Sequence, residues 1–212
     1  GQPLRLDEVR IMGRNKSGHY DGGPKQFEIQ GSTDNIQWKS LNMFNTTEVY
    51  KAGIYKKYRL APIEYRYYKI EITETEIGGG YISIGRIAFS GTVGGSFVSS
   101  NANTTVSADS TYSGYSLSDL LKNTVTSETL DAWAPAAPTF PQSLIFDTGK
   151  PTVVEGLSIM PQRGLPNRSP RNFKLFGSND RGVWEPIKTF NGKTGWAADT
   201  WRSFSLVEQD ES

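Results

Sequence analysis

One pattern of residues occurs twice in this chain, and it limits the folds available more than any other feature. The stretch from Pro24 to Trp38 aligns without a gap to the stretch from Pro170 to Trp184. Phe27, Ile29, Gly31, Ser32, Asp34 and Trp38 fall on Phe173, Leu175, Gly177, Ser178, Asp180 and Trp184. The Ile11-Met12 pair matches Ile159-Met160 upstream, and Tyr58 and Leu60 match Phe204 and Leu206 downstream. Such internal similarity marks a repeated structural unit. The chemistry of that unit is legible. Phe27 and Ile29 alternate with polar neighbours, as do Phe173 and Leu175, so each pair belongs to a strand with one buried face. The Gly-Ser-x-Asp run that follows is turn chemistry: glycine for permissive dihedrals, and an Asp side chain to hold its own local backbone. Each Trp opens a return strand and is expected to fold over the hairpin. All these residues read as structural, so they identify a fold and touch no ligand.

Composition agrees with an all-β chain. Of 212 residues, 12% are aromatic, and 22 Gly and 11 Pro suit short strands joined by tight turns. The net charge is +1 with both signs well mixed, which argues against a nucleic-acid binder with its clustered basic face. No apolar run reaches the roughly 20 residues of a membrane span, and the N-terminus has no signal-peptide pattern. Its opening Gly1, in place of Met, suggests a processed or excised segment. The absence of cysteine excludes disulfides and thiolate chemistry. A single histidine, His19, removes most nucleophile–base pairs and His-rich metal sites. Glu74 and Glu76 share one face of a strand-like segment, but nothing around them in sequence desolvates them for glycosidase work. The expectation is a non-enzymatic protein without a cofactor.

Neither copy of the repeat is complete. The first continues through Tyr65–Ile72, with Tyr68, Ile70 and Ile72 on one face, into Gly78-Gly79-Gly80 and then Ile84–Phe89. There the apolar parity flips, predicting a bulge at Gly85 or Arg86. The second copy has no counterpart of these strands, but carries a leading region, Gly94–Pro151, that the first lacks. The sequence therefore divides into residues 1–92, the C-terminal portion of one sandwich, a linker and domain entry at 93–106, and residues 107–212, the N-terminal portion of a second. Three arrangements would complete them: a longer tandem protein, strands from another chain of a homo-oligomer, or pairing of the orphan parts within the chain. The third is disfavoured, because two equivalent hairpins cannot occupy one site.

At this point the chain resembles the discoidin, or coagulation factor type C, family and the related carbohydrate-binding modules of family 32. Ser107–Leu117 looks like the family's opening strand and following segment. Trp133 matches its tryptophan before the first core strand, and Pro141–Gly149 resembles its strand ending in Asp-x-Gly. Leu157–Ile159, the hairpin, Tyr65–Ile72 and Ile84–Phe89 resemble the strands that follow. The resemblance implies an all-β, antiparallel jelly-roll β-sandwich of the galactose-binding type, here as two tandem partial copies. It implies a non-catalytic module binding cell-surface carbohydrate, in an extracellular, cell-surface or virion setting such as a phage tail. The alternative is a spacer or assembly domain of a virion or surface appendage, binding no sugar and contacting other subunits. Missing the cysteine pair of vertebrate members, the chain fits a bacterial or phage origin. Sugar-binding relatives often hold a structural calcium in an Asp-Gly-Asn type of turn. Here that stretch reads Leu120-Leu121-Lys122-Asn123, so no metal is expected.

The same resemblance points to the loop before each hairpin as the place for a ligand. Arg14 and Arg163 fall where relatives carry an arginine that bonds sugar hydroxyls, and a planar guanidinium suits vicinal hydroxyls. His19, Tyr20 and Tyr81, with Asn167, complete the candidates, the tyrosines as stacking surfaces. Trp133 reads either as a core plug or as an exposed platform, with the core plug favoured.

Overall fold

The computed structural model describes residues 6, 8–14, 23–47, 49–60, 64–91, 103–122 and 131–206. They divide into two compact units, residues 1–63 and 64–212. The first unit contains β1 (Glu8–Met12), β2 (Gln26–Gly31), β3 (Lys39–Asn45) and β4 (Tyr55–Arg59). These form two two-stranded antiparallel sheets, β1 with β4 and β2 with β3.

The second unit contains β5 (Glu64–Thr75), β6 (Ile84–Ser90), β7 (Thr105–Ala108), β8 (Gln142–Val153), β9 (Gly156–Pro161), β10 (Pro170–Ser178), β11 (Glu185–Phe190) and β12 (Arg202–Ser205). One sheet runs β11-β10-β5-β8-β7 and the other β12-β9-β6, every pairing antiparallel. The expected all-β sandwich is therefore present. Its core is aromatic across the two sheets. Phe89 on β6 lies 5.0 Å, ring to ring, from Phe146 on β8 and 5.5 Å from Tyr68 on β5. Phe204 on β12 lies 5.6 Å from Phe173 on β10. Tyr68, Ile70 and Ile72 are all buried, as their shared parity predicts. The register of β6 against β9 shifts between Ile84 and Arg86, where the parity flip placed a bulge.

The repeated hairpin turn is built alike at both sites. The Asp34 carboxylate accepts from the amides of Ile36 and Gln37, both at 2.8 Å, while Ser32 Oγ accepts from Asn35 at 2.8 Å. Asp180 accepts from Gly182 at 2.7 Å and Val183 at 3.0 Å, and Ser178 Oγ accepts from Arg181 at 3.0 Å. These amides hold both carboxyls below the usual carboxylate range. Phe27, Phe44 and Tyr58 form one ring cluster; Phe173, Phe190 and Phe204 form the other. The tryptophans differ, Trp38 being exposed and Trp184 half-buried.

The chain's divisions differ from those expected at 92 and 106. β5 and β6, assigned from the sequence to a first sandwich, lie in the compact unit with the second hairpin. Thr105 and Val106, assigned to a linker, begin β7. The orphan parts thus pair within the chain. The objection that two hairpins cannot share one site is met because only the second occupies it. β5 lies between β8 and β10, so both of its edges are filled.

The side chains explain why the second hairpin is the one that fits. Lys174 stands opposite Glu71, and the Lys69 ammonium lies over the rings of Phe176 at 4.6 Å and Trp184 at 4.9 Å. Asn179 accepts from the Arg66 amide at 2.9 Å, and the Arg181 guanidinium lies 4.6 Å from the Tyr67 ring. Tyr65 donates to Glu185 at 2.7 Å, and its ring fills the space beside Gly177, where a Cβ would lie 2.1 Å from it. The first hairpin carries Glu28, Gln30, Thr33, Asn35 and Lys39 at the positions of Lys174, Phe176, Asn179, Arg181 and Glu185. Glu28 would set like charge opposite Glu71, and Lys39 could not accept from Tyr65. Cross-strand pairs of this kind contribute roughly 0.2–1 kcal/mol each, so together they select one hairpin over the other. Since the chain has no cysteine of its own, paired substitutions read this choice directly. Glu71→Cys with Lys174→Cys is expected to form a disulfide under mild oxidation, and Glu71→Cys with Glu28→Cys to remain reduced. A disulfide in the second variant, seen by non-reducing electrophoresis and peptide mapping, would contradict the selection.

Arg66 also ties β5 to β8. Its Nε and Nη2 donate to the two oxygens of Asp147 at 2.9 and 3.0 Å. That fork, with the Gly149 amide, holds the Asp147 carboxyl below its usual range. A depressed carboxyl stabilises the fold above its unfolded-state pKa of about 4 and loses that contribution as pH falls through the folded value. With the Arg66 side chain 42% exposed, solvent screening keeps the contribution of the pair small. Asp147→Asn should lower the melting temperature by roughly 2–4 °C at pH 7. Melting curves recorded down to pH 3 should show the gap to the unsubstituted protein closing.

Candidate functional site

At one end of the second unit, four loops enclose a cleft of about 260 Å³. Its walls are Gly80–Ile82 from the β5–β6 connection, Tyr112 and Tyr115 after β7, Ala134–Ala136 and Pro138 before β8, and Arg168 before β10. Such a volume lies just below the roughly 300–1,000 Å³ usual for small-molecule sites.

Trp133 holds three of these loops together. The side chain is fully buried, so it is the core plug the sequence favoured and not a platform. Its backbone exchanges two hydrogen bonds with Ile84, at 2.8 and 2.9 Å, and its indole Nε1 donates to the Ser110 carbonyl at 3.1 Å. From there the Tyr112 amide donates to the Ala134 carbonyl at 2.9 Å, and the Ala136 amide to Ser110 Oγ at 3.1 Å. On β6, the buried Arg86 guanidinium pairs with the Asp131 carboxylate at 2.6 Å and donates to the Asp131 carbonyl at 2.8 Å. Breaking one side of a buried, hydrogen-bonded pair leaves an uncompensated charge, so this contact fixes the entry to the Trp133 loop. Gly80 draws the β5–β6 connection against the loop before β8. With φ at +83°, its hypothetical Cβ would lie 2.1 Å from the Pro138 carbonyl oxygen, so no side chain fits there.

The exposed faces of the cleft are aromatic and cationic. Tyr81 is 54% exposed and Tyr112 56%. The Tyr112 and Tyr115 rings stand edge to face 6.2 Å apart, and the Arg168 guanidinium lies 5.1 Å from the centre of the Tyr81 ring. The Tyr115 hydroxyl accepts from Gln162 Nε2 at 3.3 Å. Aromatic faces with one planar donor group can stack on a flat apolar ligand face and bond its oxygens. The arrangement offers binding chemistry, with no nucleophile–base pair among the lining residues.

The residues expected from the sequence fall in several places. Tyr81 lines the cleft. Asn167 is exposed beside Arg168, in the 3₁₀ turn Pro166–Arg168, and its carbonyl accepts from the Ile77 amide at 2.8 Å. Arg163 is not among the lining residues; its guanidinium is bound to Asp199 at 2.8 Å. Arg14 is exposed in the first unit. His19 and Tyr20 lie outside the described residues. Tyr112, Tyr115 and Arg168 were missed. The tyrosines and Arg168 sit in loops remote in sequence from each other, and only the Tyr112-x-x-Tyr115 spacing next to a strand signalled anything.

In the described part of the stretch aligned with the calcium turn, the Lys122 ammonium pairs with the Asp119 carboxylate at 2.5 Å, and Asn123 lies outside the described residues. Among the described residues no three His, Cys, Asp or Glu side chains are grouped to hold a metal. No helix among them is long and apolar enough to cross a membrane.

The F5/8 type C domain model matches residues 100–208, just over half of the chain. The chain belongs to the F5/8 type C, or discoidin, family. Domains of this family are generally non-catalytic modules that bind carbohydrate or other ligands, and are typically extracellular or surface-associated. A search of curated proteins returned no match. The matched span contains β7 to β12 but not β5 or β6, so the two strands that complete this sandwich precede it in the chain.

If Trp133 anchors the site, Trp133→Phe should loosen the cleft through the lost indole bond, while Trp133→Ala should destabilise the whole sandwich by about 3–5 kcal/mol. Urea unfolding followed by far-UV dichroism measures both, the Phe variant serving as the milder case.

Proposed function

We propose that the sandwich is a non-catalytic recognition module that binds a pyranose unit of a cell-surface glycan in the cleft bounded by Tyr81, Tyr112, Tyr115 and Arg168. The observation that carries this reading is the pair of exposed tyrosine rings, Tyr81 and Tyr112, on a small cleft of about 260 Å³. Large aromatic side chains left in water at the mouth of a preformed cavity favour a ligand with a flat apolar face. A pyranose has such a face, ringed by hydroxyls that the Arg168 guanidinium and the Tyr115 hydroxyl can bond. Family membership supports the same class of ligand. In this reading the module attaches a larger surface, tail or fibre protein to its target. The first unit, with its single hairpin, is then part of a repeat array.

The site differs from the one expected before the hairpins. Arg14 and Arg163 stand outside it, and Tyr81 is carried over. Glycan-array screening of the full chain, followed by calorimetry with the best ligand, tests the assignment. Tyr81→Ala and Tyr112→Ala should each weaken binding about tenfold or more, a loss of roughly 1.4 kcal/mol. Because both rings are more than half exposed, thermal unfolding should stay unchanged. Arg14→Ala should leave affinity intact. Undiminished binding in both tyrosine variants, or its loss in Arg14→Ala, would move the site elsewhere.

A further inference from the structure

The arginines of the second unit are not alike. Arg66, Arg86, Arg163 and Arg171 each have a carboxylate within 3.0 Å, supplied by Asp147, Asp131, Asp199 and Glu74 respectively, and of the arginines outside such pairs Arg168 is the one that lines the cleft. Arg168 makes no ion pair among the described residues, and none of the residues lining the cleft is acidic. Nearby carboxylates are already committed elsewhere. Glu76 accepts from the amides of Gly195 and Trp196, and Glu74 from Arg171 and Asn172. Arg168 is half-buried in a turn whose backbone is fixed at both ends. Its amide donates to the Leu165 carbonyl at 3.1 Å, and its carbonyl accepts from Ser83 at 3.1 Å. The head group is held over Tyr81 by a cation–π contact, which orients the guanidinium without neutralising it. A positioned, uncompensated positive charge on an apolar wall attracts an anion more strongly than a hydroxyl, since charge-assisted hydrogen bonds are about twice as strong as neutral ones.

Resting on the pyranose-binding reading, we propose that Arg168 makes the cleft selective for carboxylated sugars. The sugar ring packs against the tyrosines and its carboxylate pairs with the guanidinium. Arg168 is then the specificity-determining residue and the tyrosines supply affinity common to acidic and neutral sugars.

The test compares matched ligands. Methyl glycosides of glucose, galactose and mannose are titrated into the full chain beside their C6-oxidised uronate counterparts, with the methyl glycoside of N-acetylneuraminic acid as a further arm. Ligand-observed NMR and calorimetry are run at low and at physiological salt. At least one carboxylated ligand should bind about tenfold more tightly than the neutral sugars, the expected scale for one added charge-assisted bond. That preference should shrink with salt. The uronate and sialic acid arms distinguish the two sources of the carboxylate. Arg168→Gln should abolish the preference, weakening the carboxylated sugars about tenfold more than the neutral ones, and Arg168→Lys should restore part of it. Equal binding of acidic and neutral sugars overturns the selectivity and leaves the pyranose reading standing. So does an equal loss of both in Arg168→Gln. If no sugar in either series binds, the pyranose reading falls and the selectivity falls with it.

Discussion

Everything in the sandwich depends on β5 having two neighbours. Its core-facing residues Tyr68, Ile70 and Ile72 are buried between β8 and β10. Both edges of the strand are hydrogen-bonded, and without it the larger sheet would separate into β10–β11 and β7–β8. Each fragment would then expose an unpaired edge and half of an aromatic core, the condition sheets avoid. β6 completes the smaller sheet at its edge, pairing with β9. The connection between β5 and β6 also contributes Tyr81 and Gly80 to the cleft, so the strands that complete the fold complete the site as well.

Much of this was written in the sequence at the level of single strands. The alternation in Tyr65–Ile72, the bulge at Gly85-Arg86 and the Gly-Ser-x-Asp turns rest on local chemistry, and local chemistry is readable without a partner. The buried Trp133 was also anticipated. What failed was the assignment of strands to one another. Chain order placed β5 and β6 with the first hairpin, whereas pairing is decided by opposing side chains that only a register brings together. Glu71 opposite Lys174, and Lys69 over Phe176 and Trp184, are legible once β10 is set beside β5 and invisible before. The first hairpin keeps the core residues of the pattern but not these outward-facing ones.

The site was partly legible for the same reason. Tyr81 was named as an aromatic able to stack on a sugar face. Tyr112, Tyr115 and Arg168 were not, since they come from two separate loops, one tied to the Trp133 segment and the other to Ile77 and Ser83, that converge only in the folded chain. Arg163 attracted notice as an arginine before the hairpin, yet it is neutralised by Asp199; Arg168, five positions later, is not. Which arginine can receive a ligand is settled by where the carboxylates lie, and that is a property of the folded chain.

The order of the strands has a mechanical side. The first unit joins the sandwich at Glu64, where β5 begins, and β5 is an interior strand of its sheet. Tension passing from one unit to the other therefore enters at a strand held by β8 on one side and β10 on the other, with the Arg66–Asp147 fork close to the point of entry. Both ladders resist together before either can part. A ligand held in the cleft, close to the far end of that strand, would then be retained under loads that peel away an edge strand.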